Sequence, residues 1–117
     1  MTNDSYLPAE YNTGIVRGDF FEETFSFTIS GEPINLESST VRIQLRNSIT
    51  SGGEVVGEYT IGNGISIRDN LIAWVIDDQE TVTLIPGVYN YDVEVTTSNK
   101  KRTYIRGKFS VVQDITY

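Results

Sequence analysis

The chain has 117 residues, 38% of them apolar and 21% charged, with a formal net charge of −7. That length fits one domain with one real core, burying roughly two-thirds of the surface its unfolded chain exposes, and the composition argues against wholesale disorder. Cysteine and histidine are both absent, which excludes disulfides, thiolate–metal sites, cysteine nucleophiles and imidazole bases; no cofactor and no metal centre are expected.

The opening Met1-Thr2-Asn3-Asp4-Ser5 has neither the basic nor the apolar region of a secretion signal. No apolar run nears the roughly 20 residues that cross a bilayer as a helix, so no membrane partner is expected. Residues 1–14 do not alternate and contain Pro8, Gly14, Tyr6 and Tyr11. They read either as an N-terminal arm that docks on a neighbour through its two tyrosines or as a loosely packed terminus. The domain itself is placed at 15–117.

From residue 20 onward, apolar and polar residues alternate with period two, the pattern of half-buried strands. Residues 20–30 put Phe21, Phe25, Phe27 and Ile29 on one face, interrupted by Glu23, which signals a bulge or a sheet edge. Residues 40–47 put Val41, Ile43 and Leu45 inward and Arg42, Gln44 and Arg46 outward. After a Gly/Ser-rich loop at 47–53, residues 54–61 form a weaker strand with Val55, Tyr59 and Ile61 on one face. Gly62-Asn63-Gly64 turns the chain into a short strand through Ile65 and Ile67, and Asp69-Asn70 makes a hairpin turn. Residues 71–76, with Trp74, are apolar on both faces, as a central strand would be.

Asp77-Asp78-Gln79-Glu80-Thr81 is the one candidate helical turn, its acids suited to a helix N-terminus. Strand 88–96 follows with Tyr89, Tyr91, Val93 and Val95 inward and Asn90, Asp92 and Glu94 outward. Ser98-Asn99-Lys100-Lys101 reads as a hairpin tip. Strand 103–112 places Ile105, Phe109 and Val111 inward, with Tyr104, Arg106 and Lys108 outward. Seven to eight short strands and essentially no helix predict an all-β domain, an immunoglobulin-like antiparallel β-sandwich. The run Leu84-Ile85-Pro86-Gly87-Val88-Tyr89 sharpens this. It looks like a tyrosine corner, with Pro86 and Gly87 making the turn and the Tyr89 hydroxyl bonding back to backbone.

Charge is uneven. Lys100, Lys101, Arg102, Arg106 and Lys108 stand against Asp114 alone in 97–117, so the rest of the chain is strongly acidic. An acidic body disfavours nucleic acid; a basic stripe on it suits an acidic protein neighbour or a second copy. Other constellations have plainer readings. Arg17-Gly18-Asp19 spells an integrin-binding tripeptide but runs straight into Phe20-Phe21, as a turn entering a strand would. Asp77, Asp78 and Glu80 offer oxygen ligands but lack the calcium-loop spacing and read as a solvated turn. Glu22, Glu23, Asp92 and Glu94 carry no spacing that marks a glycosidase pair. Trp74 and the tyrosines could stack on sugars, yet most fall on inward parity, Tyr104 excepted, and read as core.

One resemblance extends over most of the chain. Arg17-Gly18-Asp19-Phe20, Phe25-Ser26-Phe27, Ile34-Asn35-Leu36, Thr40-Val41-Arg42-Ile43-Gln44-Leu45-Arg46, Leu84-Ile85-Pro86-Gly87-Val88-Tyr89-Asn90-Tyr91-Asp92, Gly107-Lys108-Phe109 and Asp114-Ile115-Thr116 together resemble small immunoglobulin-like structural proteins of tailed bacteriophages. The opening is similar to the N-terminal domain of phage baseplate upper proteins. These motifs determine fold and carry over no catalytic residue. The resemblance implies a non-enzymatic virion protein of tail, baseplate or head, assembled in the host cytoplasm. Because the sequence ends at Tyr117 without the long oligomerising regions of baseplate upper proteins, a short stand-alone component is expected. The implied partners are other virion proteins and copies of itself. The expected contacts are Lys100, Lys101, Arg102, Tyr104, Arg106 and Lys108, with Tyr6 and Tyr11; Tyr89, Pro86, Gly87 and Trp74 are expected to be structural. A carbohydrate-binding or host-adhesion module is the alternative and is not favoured.

Overall fold

The computed structural model describes residues 8–26, 28–29, 32–33, 36, 39–47 and 53–114. Among them the chain runs through β1 (Ala9–Glu10), β2 (Thr13–Val16), β3 (Phe21–Phe25), β4 (Thr28–Ile29), β5 (Glu32–Pro33), β6 (Thr40–Arg46), β7 (Val55–Ile61), β8 (Gly64–Arg68), β9 (Leu71–Ile76), one helical turn α1 (Asp78–Thr81), β10 (Gly87–Thr97) and β11 (Lys100–Val112). The molecule is all-β. Tyr6, the inward reading of Phe27 and Ile29, the 48–52 part of the loop, and the motif residues Ile34, Asn35, Ile115 and Thr116 lie outside the described residues.

Alternation governs the long strands. On β6, Val41, Ile43 and Leu45 are buried while Arg42, Gln44 and Arg46 reach solvent; on β10, Tyr89, Tyr91, Val93 and Val95 are buried. β9 lies between β8 and β3 and buries four of its residues, Ile72, Ala73, Trp74 and Ile76. Local chemistry sets the turns. Asp69 and Asn70 (φ 51° and 62°) and Ser98 and Asn99 (φ 52° and 66°) form two-residue hairpin loops with both residues left-handed, the geometry that matches strand twist. Asp77 caps α1, its side chain accepting from the Gln79 amide at 2.9 Å.

The main sheet among the described residues is nine-stranded, ordered β1-β11-β10-β6-β7-β8-β9-β3, with β2 also on β11; β4 and β5 pair separately. It is mixed, which corrects the purely antiparallel expectation. β1 and β2 run parallel to β11, and β7 meets β8 in a parallel pair only four residues apart in sequence, Thr60↔Gly64 and Ile61↔Ile65. That second pair is a tight corner, closed by Asn63 N–H to Thr60 O (2.8 Å) and Gly62 N–H to Ile65 O (2.9 Å).

The corner lets the sheet curl onto itself. β11 and β3 are six strands apart in the order, about 29 Å in a flat sheet at ~4.8 Å per strand. Yet the rings of Phe109 on β11 and Phe21 on β3 are 5.2 Å apart. Trp74 sits at the centre, its ring 4.9 Å from Phe21, 5.6 Å from Tyr59 and 5.5 Å from both Tyr91 and Phe109. Burying side chains of this size stabilises the fold by roughly 1.5–3 kcal/mol each.

The curl also brings the two ends of the sheet together. The Thr13 hydroxyl on β2 donates to Glu23 on β3 at 2.9 Å, and the Tyr11 ring meets Phe25 edge-on at 6.1 Å. Residues 9–14, read from the sequence as part of an arm, are therefore largely sheet. Short two- and four-residue strands flanking Tyr11 and Asn12 are too brief for a pattern to stand out in the sequence. They are held by the neighbouring strand rather than by their own pattern.

Candidate interaction surface

The basic residues of the C-terminal hairpin do not form one stripe. β10 and β11 pair in register until a bulge: Val93 faces Ile105, but Glu94 faces Thr103, so Tyr104 is the extra residue. The bulge turns Tyr104 toward the interior, where it packs against the core. This corrects its outward assignment. Two residues before it, Arg102 pairs with the buried Val95, and its guanidinium lies 5.5 Å from the centre of the Tyr104 ring. Lys100 and Lys101 remain exposed at the tip, with no ion pair among the described residues. Arg106 and Lys108 are exposed further down β11.

Beside them lies the outward face of β6, β10 and β11. Register pairing builds polar rungs across it. Arg42 lies opposite Glu94, donating at 2.7 Å, with Glu58 at 3.7 Å from the same guanidinium; the bond to Glu94 and its charge push the Arg42 pKa up. Gln44, Asp92, Arg106 and Glu10 share the next rung, and Arg46, Asn90 and Lys108 the one beyond. Partial burial pushes the Asp92 carboxyl up, the nearby Glu94 adding to the effect. The outward parity of the β6, β10 and β11 residues among these is legible in the sequence; which of them share a rung, and that Glu10 and Glu58 join them, is not.

The remaining sequence candidates take structural places. Trp74 is fully buried, and its indole Nε1–H has no partner among the described residues. The Tyr89 hydroxyl donates to the Ile85 carbonyl, spanning the Pro86-Gly87 turn at the entry to β10. Tyr11 is 43% exposed, but its backbone is engaged: its N–H donates to Arg106 O (3.0 Å) and its carbonyl accepts from the Tyr91 hydroxyl (2.6 Å). The Glu23 charge beside its phenol pushes the Tyr11 pKa up. Arg17 of the Arg-Gly-Asp turn bonds Asp114 at 3.3 Å, and the Asp19 carbonyl accepts from the Thr81 hydroxyl at 2.8 Å. Asp77 and Asp78 share a hydrogen bond that holds Asp77 low and pushes Asp78 up. Val55 and Ile61, expected to share a face with buried Tyr59, are exposed. A bulge opposite Leu45 and Arg46 skips Val56 and turns Val55 over, and Ile61 lies at the corner.

No family model matches the chain, and no curated protein does. Among solved structures, a family 123 glycoside hydrolase from Clostridium perfringens, analysed for glycolipid glycan hydrolysis, is similar at 17% identity and a TM-score of 0.48. The match covers 93% of this chain and 24% of that one, so the chain spans about a quarter of that enzyme's length.

Proposed function

We propose that this chain is a non-enzymatic structural component of a bacteriophage particle, acting through protein–protein contacts with other virion proteins and with copies of itself. The observation that carries the contact reading is the β10–β11 ribbon. Its strands are eleven and thirteen residues long, and its tip presents Lys100 and Lys101, exposed and unpaired among the described residues, on a chain of net charge −7. Such complementary charge sets partner choice and register more than raw affinity. The virion assignment rests on the sequence resemblance.

We read the frame as immunoglobulin-like. Taking the corner at 60–65 as the crossing point, β2-β11-β10-β6-β7 forms one layer and β8-β9-β3 the other, and the Tyr89–Ile85 bond supports a tyrosine corner at the start of β10. Domains of this shape host many functions, so the frame itself does not choose among them. The stacking platform that a carbohydrate-binding alternative would draw from Trp74 and Tyr104 is not formed by those residues, one fully buried and the other packed on the core.

Immunogold electron microscopy of purified particles, with antibody against this chain, tests the proposal. Regular label at the tail tip, neck or capsid is the expected result. Absence of label on intact and on partly disrupted particles would remove the virion reading.

A further inference from the structure

The outward face of β6, β10 and β11 holds a cleft of about 360 Å³, within the ~300–1,000 Å³ range of small-molecule sites. Its shape follows from side-chain length. Down the middle, on β10, stand the short Asn90 and Asp92. On either side stand longer chains: Gln44 and Arg46 on β6, Arg106 and Lys108 on β11. A short central row between two long ones leaves a trough whose walls are cationic or amide and whose floor is an amide and a carboxylate.

The groups are unequally committed. Arg46 is oriented by bonds to the Gly53 carbonyl (2.6 Å) and to Gln44 Oε1 (2.9 Å), and the Lys108 ammonium lies 3.5 Å from Asn90 Oδ1. Asp92 and Arg106 are direct cross-strand partners, yet neither side chain makes a hydrogen bond or ion pair among the described residues. Glu10 on β1 lines the cleft on the far side of Arg106 from Asp92. A partly buried carboxylate without donors, beside a guanidinium without an acceptor, fits a ligand that supplies both. Tyr91 is buried and turned inward, so the lining offers no aromatic face, and its apolar surface comes from the stems of the long polar side chains.

We propose that this trough binds an acidic saccharide, its hydroxyls donating to Asp92 and Asn90 and its carboxylate or phosphate accepting from Arg106, Arg46 and Lys108. This inference does not depend on the virion reading, and it needs no aromatic platform.

Titrating the isotope-labelled full chain with D-glucuronate, glucose 6-phosphate, glucose and inorganic phosphate, followed by amide NMR shifts, tests it. Saturable shifts confined to residues 44–46, 90–92 and 106–108 are expected with at least one acidic sugar; which one responds identifies the anionic group. Glucose and phosphate alone are expected to bind at least roughly tenfold more weakly, the loss of one charge-assisted contact. Asp92→Asn and Arg106→Ala should each weaken binding by a similar factor while thermal unfolding shows both variants folded. No localised shifts with either acidic sugar would overturn the proposal. So would glucose or phosphate binding as tightly as the acidic sugars, or affinity unchanged in both variants.

Discussion

Asp92 is carried at a cost in stability. Burial raises its pKa, Glu94 adds to this, and Arg46, Arg42 and Lys101 offset part of it. With the native value above the unfolded one of about 3.9, the native state holds the proton more tightly. This group's contribution is therefore most favourable below the unfolded pKa and declines as pH rises through the raised native value. Asp92→Asn removes that decline. The melting temperature of the variant is expected to exceed that of the parent at pH 7, with the gain shrinking as pH falls through the raised native value toward about 4, checked by thermal melts across the range. Trp74 poses the reverse problem: a large buried ring with an orphan N–H. Trp74→Ala is expected to cost about 3–5 kcal/mol, a large share of the roughly 5–15 kcal/mol of a typical domain. Trp74→Phe should cost clearly less, because it keeps an aromatic ring and deletes the unpaired donor. Urea denaturation of the two variants separates these effects.

At the scale of elements, the N-terminal strands depend on two glycines. A Cβ at Gly107 would strike the Tyr11 carbonyl, and one at Gly14 would strike the backbone of Ser110. Both contacts are with backbone, which cannot rotate away. Gly107→Ala is therefore expected to loosen β1 and β2 from β11 and cost roughly 1–3 kcal/mol. Hydrogen exchange at the Tyr11 amide, bonded to Arg106 O, should accelerate while amides in the β6–β10 ladder keep most of their protection. Equal loss of protection in both places would mean that the N-terminal strands and the rest of the sheet open as one unit. The β10–β11 hairpin is different in kind. Its loop is fixed by Ser98 and Asn99, both at positive φ, and its register by the alternation of two long strands.

For the whole molecule, charge is separable from folding at the hairpin tip. Lys100 and Lys101 are exposed and without ion pairs among the described residues, whereas Arg102 lies over Tyr104. Lys100→Glu with Lys101→Glu is expected to lower the melting temperature only slightly, through the lost Lys101 offset at Asp92, and to reduce incorporation into particles, scored by blotting purified virions. Adding Arg102→Glu should also cost about 0.5–1 kcal/mol through the lost cation–π contact. Normal incorporation of the double variant would remove the tip from the interface.

By itself the sequence determined the all-β class, the inward faces of β6 and β10, the turns at Asp69-Asn70 and Ser98-Asn99, and the helical turn at 77–81. Each depends on a local cause, either alternation within one strand or the conformational preference of a few residues. Parity also showed that Asn90, Asp92, Arg106 and Lys108 point outward. Tertiary structure decided the rest. A bulge shifts parity by one residue without a local marker, and this set Tyr104 against the core and Arg102 over its ring. The strands of residues 9–16 exist because β11 offers an edge and two glycines admit them. Curling set Phe21 against Phe109, and register put Asp92 beside Arg106. Alternation says which way a side chain points; only pairing between distant strands says what it points beside.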